Sequence, residues 1–293
     1  MERELWTVLY RRACELDDLW KSGAYSPYDA SAIVGVYLWA VIWDRPTIWA
    51  CDPGNWGTLQ PPQPLPPQWT VSRRMRSERV AELWRRIEKE VQDTCNAAIV
   101  WIMMVDGKPL TVSIHSKDRD ARWGKLDRFR WARGYKLHVI WGASDYPLAW
   151  EVKSLNYSEV KMARELVGRV KQQGYLLADA FYDASTLYDD AGAAGLQLLA
   201  PRRQAGGLGH HYQSPYRLRA MELMHQPFGK ELYAERELVE HQFGRLTNFG
   251  GGLAPLPSWV RTPHRVKAWV GTKLLLNAVR SRLKALPATP AAA

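Results

Sequence analysis

Two hydrophobic rhythms divide the chain. Ala32 to Trp43 is an uninterrupted apolar run of twelve residues. A membrane span needs roughly 20, so the run predicts a buried helix over Asp29–Trp43 that opens after Ser26-Pro27. Asp44 to Thr58 is rich in turn residues, and five prolines within Pro61 to Pro67 predict an extended connector. Beyond Thr70–Arg76, read as a short basic helix, Ser77 can cap a helix to about Val91, with Val80, Leu83, Trp84, Ile87 and Val91 on one face. The first hundred residues therefore read as mainly helical.

Near Ala97 the rhythm changes. Ile99 to Val105 is continuously apolar and ends in Asp106-Gly107, which suits a central strand buried on both faces. Leu110–Ile114 is its expected hairpin partner, and Gly134–Ala143 and Pro147–Leu155 predict further strands. Ser158–Gln173 reads as an amphipathic helix, with Ala163, Leu166 and Val170 inward. Tyr175–Asp179 is again a buried strand ending in an aspartate. A helix over Ser185–Ala194, a strand over Leu196–Ala200, an irregular stretch over Gln204–Lys230, and helices over Glu231–Thr247 and Val266–Leu286 complete the chain. The order is mixed α/β, a central sheet with helices on both sides. It divides into a helical domain over residues 1–96, a sheet domain over 97–286 and a disordered tail over 287–293.

Composition narrows the function. Hydrophobic residues make up 46% of the chain, enough for a sizeable core, and the net charge of +10 favours a polyanionic partner. The only cysteines, Cys14, Cys51 and Cys95, are too widely spaced for a disulfide framework or a zinc pair. A reducing, cytoplasmic setting without a membrane anchor is expected. His210 and His211 offer too few ligands for zinc.

Basic residues gather in three places. Arg73, Arg74 and Arg76 precede the Ser77 helix, as in a helix-turn-helix-like DNA reader or an arginine-rich helical cap. Gly107 to Lys136 holds nine Lys or Arg and three Asp. There Lys117, Arg119, Arg122, Trp123, Lys125, Arg130, Trp131 and Lys136 mix cations with indoles, suiting phosphate contact and base stacking, or a solvated loop with Trp in the core. Seven Lys or Arg and no acid follow from Arg261 onward.

Two buried strands that each end in an aspartate bring Asp106 and Asp179 together if the strands are neighbours. Glu240, one position from the buried stripe at Val239, is expected to face the sheet obliquely. The three acids lie 73 and 61 residues apart. Three converging carboxylates need counter-charge, and magnesium, with its hard oxygen ligands, supplies it.

Motifs sharpen this reading. Tyr233-x2-Arg236-x3-Glu240 resembles the Tyr-x2-Arg-x3-Glu-x6-Lys signature of bacterial insertion-sequence DDE transposases with a ribonuclease-H-like core. In the expected order stand Val105-Asp106-Gly107, Gly134-x-Lys136-x-His138 and Ala178-Asp179-x-x-Tyr182-Asp183, similar to that family's catalytic strands. Leu65–Arg74 resembles a segment these proteins carry before the core. The resemblance implies a ribonuclease-H-like mixed sheet flanked by helices behind an N-terminal helical DNA-binding domain. It implies Asp106, Asp179 and Glu240 as ligands of two Mg²⁺ ions (Mn²⁺ substituting), and Tyr233 and Arg236 as contacts to transposon-end phosphates. It further implies strand cleavage and transfer by a homodimer on double-stranded DNA, in the bacterial nucleoid. Thr247 stands where the signature has Lys, and Arg245 or Lys273 is the candidate replacement. Asp183 and Glu237 are fallback carboxylates. A catalytically inactive, transposase-derived regulator and a nuclease without strand transfer are the alternatives.

Overall fold

The computed structural model describes residues 1–19, 27–98, 100–127, 129–203, 212–248, 252–253 and 255–285. His210, His211 and the tail lie outside them. The chain forms two compact units. One is helical and comprises Met1–Thr94, Phe249–Gly252 and Gly271–Ala293; the other contains the sheet and comprises Cys95–Asn248 and Leu253–Val270.

In the helical unit, α1 (Glu2–Asp18) packs on α2 (Ala30–Ile42), every residue of which is buried. An all-apolar helix of this kind must be wrapped on all sides. Leu5, Trp6, Leu9 and Leu16 of α1 supply part of the wrapping, and Trp6, Trp39 and Trp56 cluster with ring centroids 5.1–6.4 Å apart. Buried Asp17 accepts from Ser31 N at 2.8 Å and pairs with Arg79 at 2.9 Å, joining α1 and α2 to the helix that carries Arg79. Burial works against its charge, but those two partners outweigh it and hold the carboxyl below its ordinary range. After the short α3 (Thr47–Ala50) and the proline connector come α4 (Gln68–Arg74) and α5 (Glu78–Cys95). They are separated by three residues, of which Ser77 turns its Oγ back to Arg74 O at 2.7 Å.

The sheet unit begins with β1 (Ile102–Thr111), followed by β2 (Arg122–Lys125), β3 (Trp131–Trp141) and β4 (Ala149–Ser154). Then come α6 (Glu159–Val167), β5 (Gly174–Leu177), α7 (Ser185–Ala193), β6 (Leu196–Leu199), α8 (Pro215–His225), α9 (Pro227–Ala234) and α10 (Glu237–Asn248). The last helix, α11 (Pro263–Ala285), contributes residues to both units. The strand order is β2-β3-β1-β5-β6, with β4 also paired to β3. The β1–β3 pairing is antiparallel, and β1–β5 and β5–β6 are parallel. This is the mixed sheet flanked by helices that the element order predicted, in a ribonuclease-H-like arrangement.

Three local expectations change. Leu110 and Thr111 do not form a separate hairpin arm but continue β1, because its partner β3 is long enough to pair through Thr111↔Gly134. At Gly134 the strands meet so closely that a Cβ would lie 2.2 Å from Leu110 O, so only glycine fits. The described part of the glycine-rich stretch is largely helical, forming α8 and the start of α9. The single helix expected over Glu231–Thr247 is two, interrupted at Glu235–Arg236. No helix among the described residues is long and apolar enough to cross a membrane.

Candidate active site

The site is built on the β1–β5 pairing. Met103 and Met104 are fully buried opposite Leu176 and Leu177. Two residues further along the same parallel register stand Asp106 and Asp179, so the two aspartates leave neighbouring strands side by side. Asp106 is not at a strand end as expected but within β1, where pairing to β3 fixes its backbone. Asp179 follows β5 and caps a short 3-10 turn, Ala180–Tyr182.

Each carboxylate has one oxygen engaged by a backbone N–H. Gly107 N donates to Asp106 Oδ1 at 2.7 Å, and Phe181 N to Asp179 Oδ1 at 2.8 Å. Burial raises the Asp106 carboxyl to about 6; the charge of Asp179 adds to this, while the Gly107 N–H and Arg236 oppose it. Asp179 is also raised by burial, against the Phe181 N–H, with Glu159 pushing it up and Arg236 and Lys136 pulling it down. Two half-buried carboxylates, each with one oxygen engaged by a backbone N–H, make a donor pair suited to a hard divalent cation. They line a groove of about 960 Å³ together with Glu159, Lys136, Trp123 and Trp131.

Glu240 is not gathered with them. The expectation that it faces the sheet is corrected by the rotation of α10. Val239, Phe243 and Leu246 form the buried stripe, with Phe243 edge-on to Trp141 at 6.2 Å. One position round the helix, Glu240 points outward, 70% exposed, and lines a separate groove with Arg236, Glu237, His241 and Arg245. No group of three His, Cys, Asp or Glu among the described residues is close enough to hold a metal ion.

Tyr233 and Arg236 lie closer to the aspartates. Tyr233 Oη donates to Ala178 O at 3.1 Å, bracing the backbone just before Asp179. Arg236 stands 3.9 Å from Glu240 and acts electrostatically on both Asp106 and Asp179. Its buried Nε has no hydrogen-bond partner among the described residues. A buried donor left unpaired is costly, and an anion arriving in the groove would satisfy it.

The basic segment divides into display and support. Lys117, Arg119, Arg122, Trp123, Lys125, Arg130 and Trp131 are exposed, with Lys125 Nζ 5.5 Å above the Trp131 ring and Arg130 paired to Asp127. The alternative of Trp filling the core is thereby corrected, since Trp123 and Trp131 stand on the surface of the β2–β3 ribbon. Asp118 points inward and anchors the loop by accepting from Tyr135 Oη at 2.9 Å and Thr262 N at 3.0 Å. Lys136 is buried and paired with Glu159. In the helical unit Arg73 and Arg76 are exposed, whereas Arg74 is partly buried and donates to Tyr28 O.

Two further candidates are occupied. Lys273 is corrected as a phosphate contact. It is fully buried in the helical unit, 2.9 Å from Asp44 and 2.9 Å from Val41 O. Lys273→Ala is expected to lower unfolding stability by about 3 kcal/mol, by stranding those partners, and a shifted urea midpoint would register it. The fallback Asp183 is likewise claimed, by Arg217 at 2.6 Å and Arg203 N at 3.0 Å. Arg245 is exposed beside Asp145 at 2.7 Å.

The family described as Transposase DDE domain matches residues 101–275, which span the whole of this site. The chain belongs to the DDE transposase family. DDE transposases act on DNA and normally use divalent metal ions. No curated protein matches the chain. The motifs around Asp106, His138, Asp179 and Glu240 fall within these matched residues, whereas Leu65–Arg74 precedes them in the helical unit. Glu159, which none of the sequence motifs contains, lines the same groove as the aspartate pair, at the start of α6, which packs on β3, β4 and the turn after β5. Its only signal was its place one residue after the helix-capping Ser158.

Proposed function

We propose that this DDE transposase binds the terminal inverted repeats of its own mobile element, cuts the strands at the ends and joins them to target DNA. The observation that carries the reading is the placement of Asp106 in β1 and Asp179 just past the adjacent parallel β5, in a groove that also holds cationic and aromatic side chains. Asp106 and Asp179 would hold the divalent ions, Mg²⁺ or Mn²⁺, with Glu240 as the third ligand. When bound, the ions supply charge neutralisation at the scissile phosphate and lower the pKa of the attacking oxygen.

The protein's own residues orient the DNA. Arg236 offers its unpartnered Nε to a phosphate, and Tyr233 holds the Asp179 backbone in place. Trp123, Lys125 and Trp131 present a surface that suits backbone charge and exposed bases together. Arg122, Lys117 and Arg119 extend the track, and Arg73 and Arg76 offer phosphate contacts from the helical unit. Glu240 joins the aspartates if α10 turns about the Glu235–Arg236 interruption on binding DNA. Water attack on phosphorus breaks the P–O bond and frees a 3′-hydroxyl. That hydroxyl then attacks a target phosphorus and displaces a target 3′-oxygen. Two ends must be held at once, so a homodimer on DNA is the working assembly.

A second reading, a transposase-derived DNA-binding regulator, draws on the outward Glu240 and on Thr247 in place of the signature Lys. Labelled duplexes carrying the inverted repeats that flank the coding sequence separate the two. The transposase reading expects nicked or cut ends, and products joined to plasmid DNA, only with Mg²⁺ or Mn²⁺. Salt-dependent binding with no cutting under any metal would overturn it, and cutting without joining would reduce the protein to a nuclease.

A further inference from the structure

Residues 112–121, between β1 and β2, form no helix or strand, yet the sheet unit fixes their course. Arg133, on β3, turns its guanidinium to this loop. It donates to Ser116 O at 3.1 Å, to Asp118 O at 2.6 Å and, more weakly, to Ala121 O at 3.4 Å. Reaching three carbonyls at once takes the fork of donors that a guanidinium carries. Asp118, 3% exposed, holds the loop from inside. Its carboxylate accepts from Tyr135 Oη at 2.9 Å, Thr262 N at 3.0 Å and Asp120 N at 3.1 Å. Burial works against its charge, but those donors outweigh it and hold the carboxyl below its ordinary range.

Other side chains of the loop face outward. Ile114 is 70% exposed, in a turn closed by Ser116 N donating to Ser113 O at 2.9 Å. Lys117 and Arg119 are exposed beyond it, and so is the acid Asp120. The loop runs into β2, where exposed Arg122 and Trp123 continue the same surface. A fixed loop that presents an isoleucine to water beside two cations suits a polyanion that also offers apolar surface. The minor groove of duplex DNA is such a surface. At about 6 Å it is too narrow for a helix, it accepts apolar wedges such as isoleucine, and phosphates run along both edges. The position of the loop sets where it would touch. Thr111, where the loop leaves the sheet, is five residues along β1 from Asp106. That is about 17 Å of strand, or roughly five base pairs of duplex.

We propose that this loop reads the transposon-end duplex through its minor groove, roughly five base pairs from the cut. Ile114 is the apolar contact, and Lys117 and Arg119 hold flanking phosphates. Arg133 and Asp118 are positioning residues, which set the loop and touch no DNA. The inference rests on the reading that the aspartate groove cuts transposon ends.

Hydroxyl-radical footprinting of the full-length protein on inverted-repeat duplexes tests this, with affinity followed by fluorescence anisotropy across a salt series. The parent is expected to protect two places, the cut and a second patch roughly five base pairs away. Lys117→Gln combined with Arg119→Gln should lose the second patch alone, and should flatten the slope of log K against log[salt] by about 2. Ile114→Ala should lose the same patch, binding about fivefold more weakly with the slope unchanged. Arg133→Gln should lose it as well, and adding Arg133→Gln to the Lys117 and Arg119 double variant should change neither footprint nor slope further. A merely structural Arg133 would lower stability and leave the patch in place, so an intact patch in a folded Arg133→Gln overturns its positioning role. A second patch that is absent from the parent, or that persists in the double variant or in Ile114→Ala, overturns the proposal. Protection at the cut would then still stand, and the transposase reading with it. The double variant and Ile114→Ala change exposed side chains only, so they decide the matter even if Arg133→Gln does not fold. A parent that protects no end DNA overturns both readings.

Discussion

Asp179→Asn should cut end-containing DNA at least about a hundredfold more slowly than the parent, because losing a ligand costs more than the 10- to 100-fold of losing an outer partner. The substitution is nearly isosteric. Asparagine keeps an oxygen to accept from Phe181 N, so the 3-10 turn and the end of β5 stay in place. What it loses is the negative charge and an anionic oxygen of the kind a hard cation prefers. DNA binding should be unchanged or tighter, since a negative charge has left a groove meant for phosphates. The prediction therefore separates two readouts, cleavage falling while a gel-shift holds. A variant that cuts as fast as the parent would remove Asp179 from the chemistry.

How much of this was legible beforehand depends on which forces set each feature. The β1 and β5 strands were readable because their centres, Met103–Val105 and Leu176–Leu177, are buried, although β1 begins only at Ile102 and Trp101 before it is exposed. Their pairing was not readable, since strand order is a tertiary property, yet once they pair the Asp106–Asp179 juxtaposition follows from register. Glu240 shows the opposite case. Its place next to Val239 suggested an inward tilt, but one helical position is about 100° of rotation, and packing of Phe243 and Leu246 decided the outcome. The interruption at Glu235–Arg236 was hidden because Tyr233–Glu240 reads as unbroken helix by composition. Glu159 was missed for another reason. It is one of 30 acids in the chain, and only folding picks it out, by setting Lys136 over Gly107 toward it. Lys273 looked like surface charge in a basic segment, and burial beside Asp44 shows that charge counting cannot tell a solvated cation from a core ion pair.

Asp106→Asn should make the metal-free protein more stable at pH 7.5. The Asp106 carboxyl titrates near 6 in the folded state, above its ordinary 3.8, because burial and Asp179 disfavour its charge. Between those two values the folded protein holds a proton that the unfolded chain has released. Stability therefore falls as pH rises through the window, and the full cost is present above about pH 6. Removing the carboxylate lifts that cost, about 2 to 3 kcal/mol by the size of the shift, while the amide oxygen still accepts from Gly107 N. For a chain of this size that is an increase of roughly 4 to 8 °C in melting temperature. The gain should shrink steadily as the melt is repeated from pH 7.5 down to pH 5. Mg²⁺ should do for the parent what the mutation does, by binding the folded state alone, and should add little to the variant. Equal melting temperatures at pH 7.5, with equal responses to Mg²⁺, would mean that Asp106 carries neither the buried charge nor the metal assigned to it.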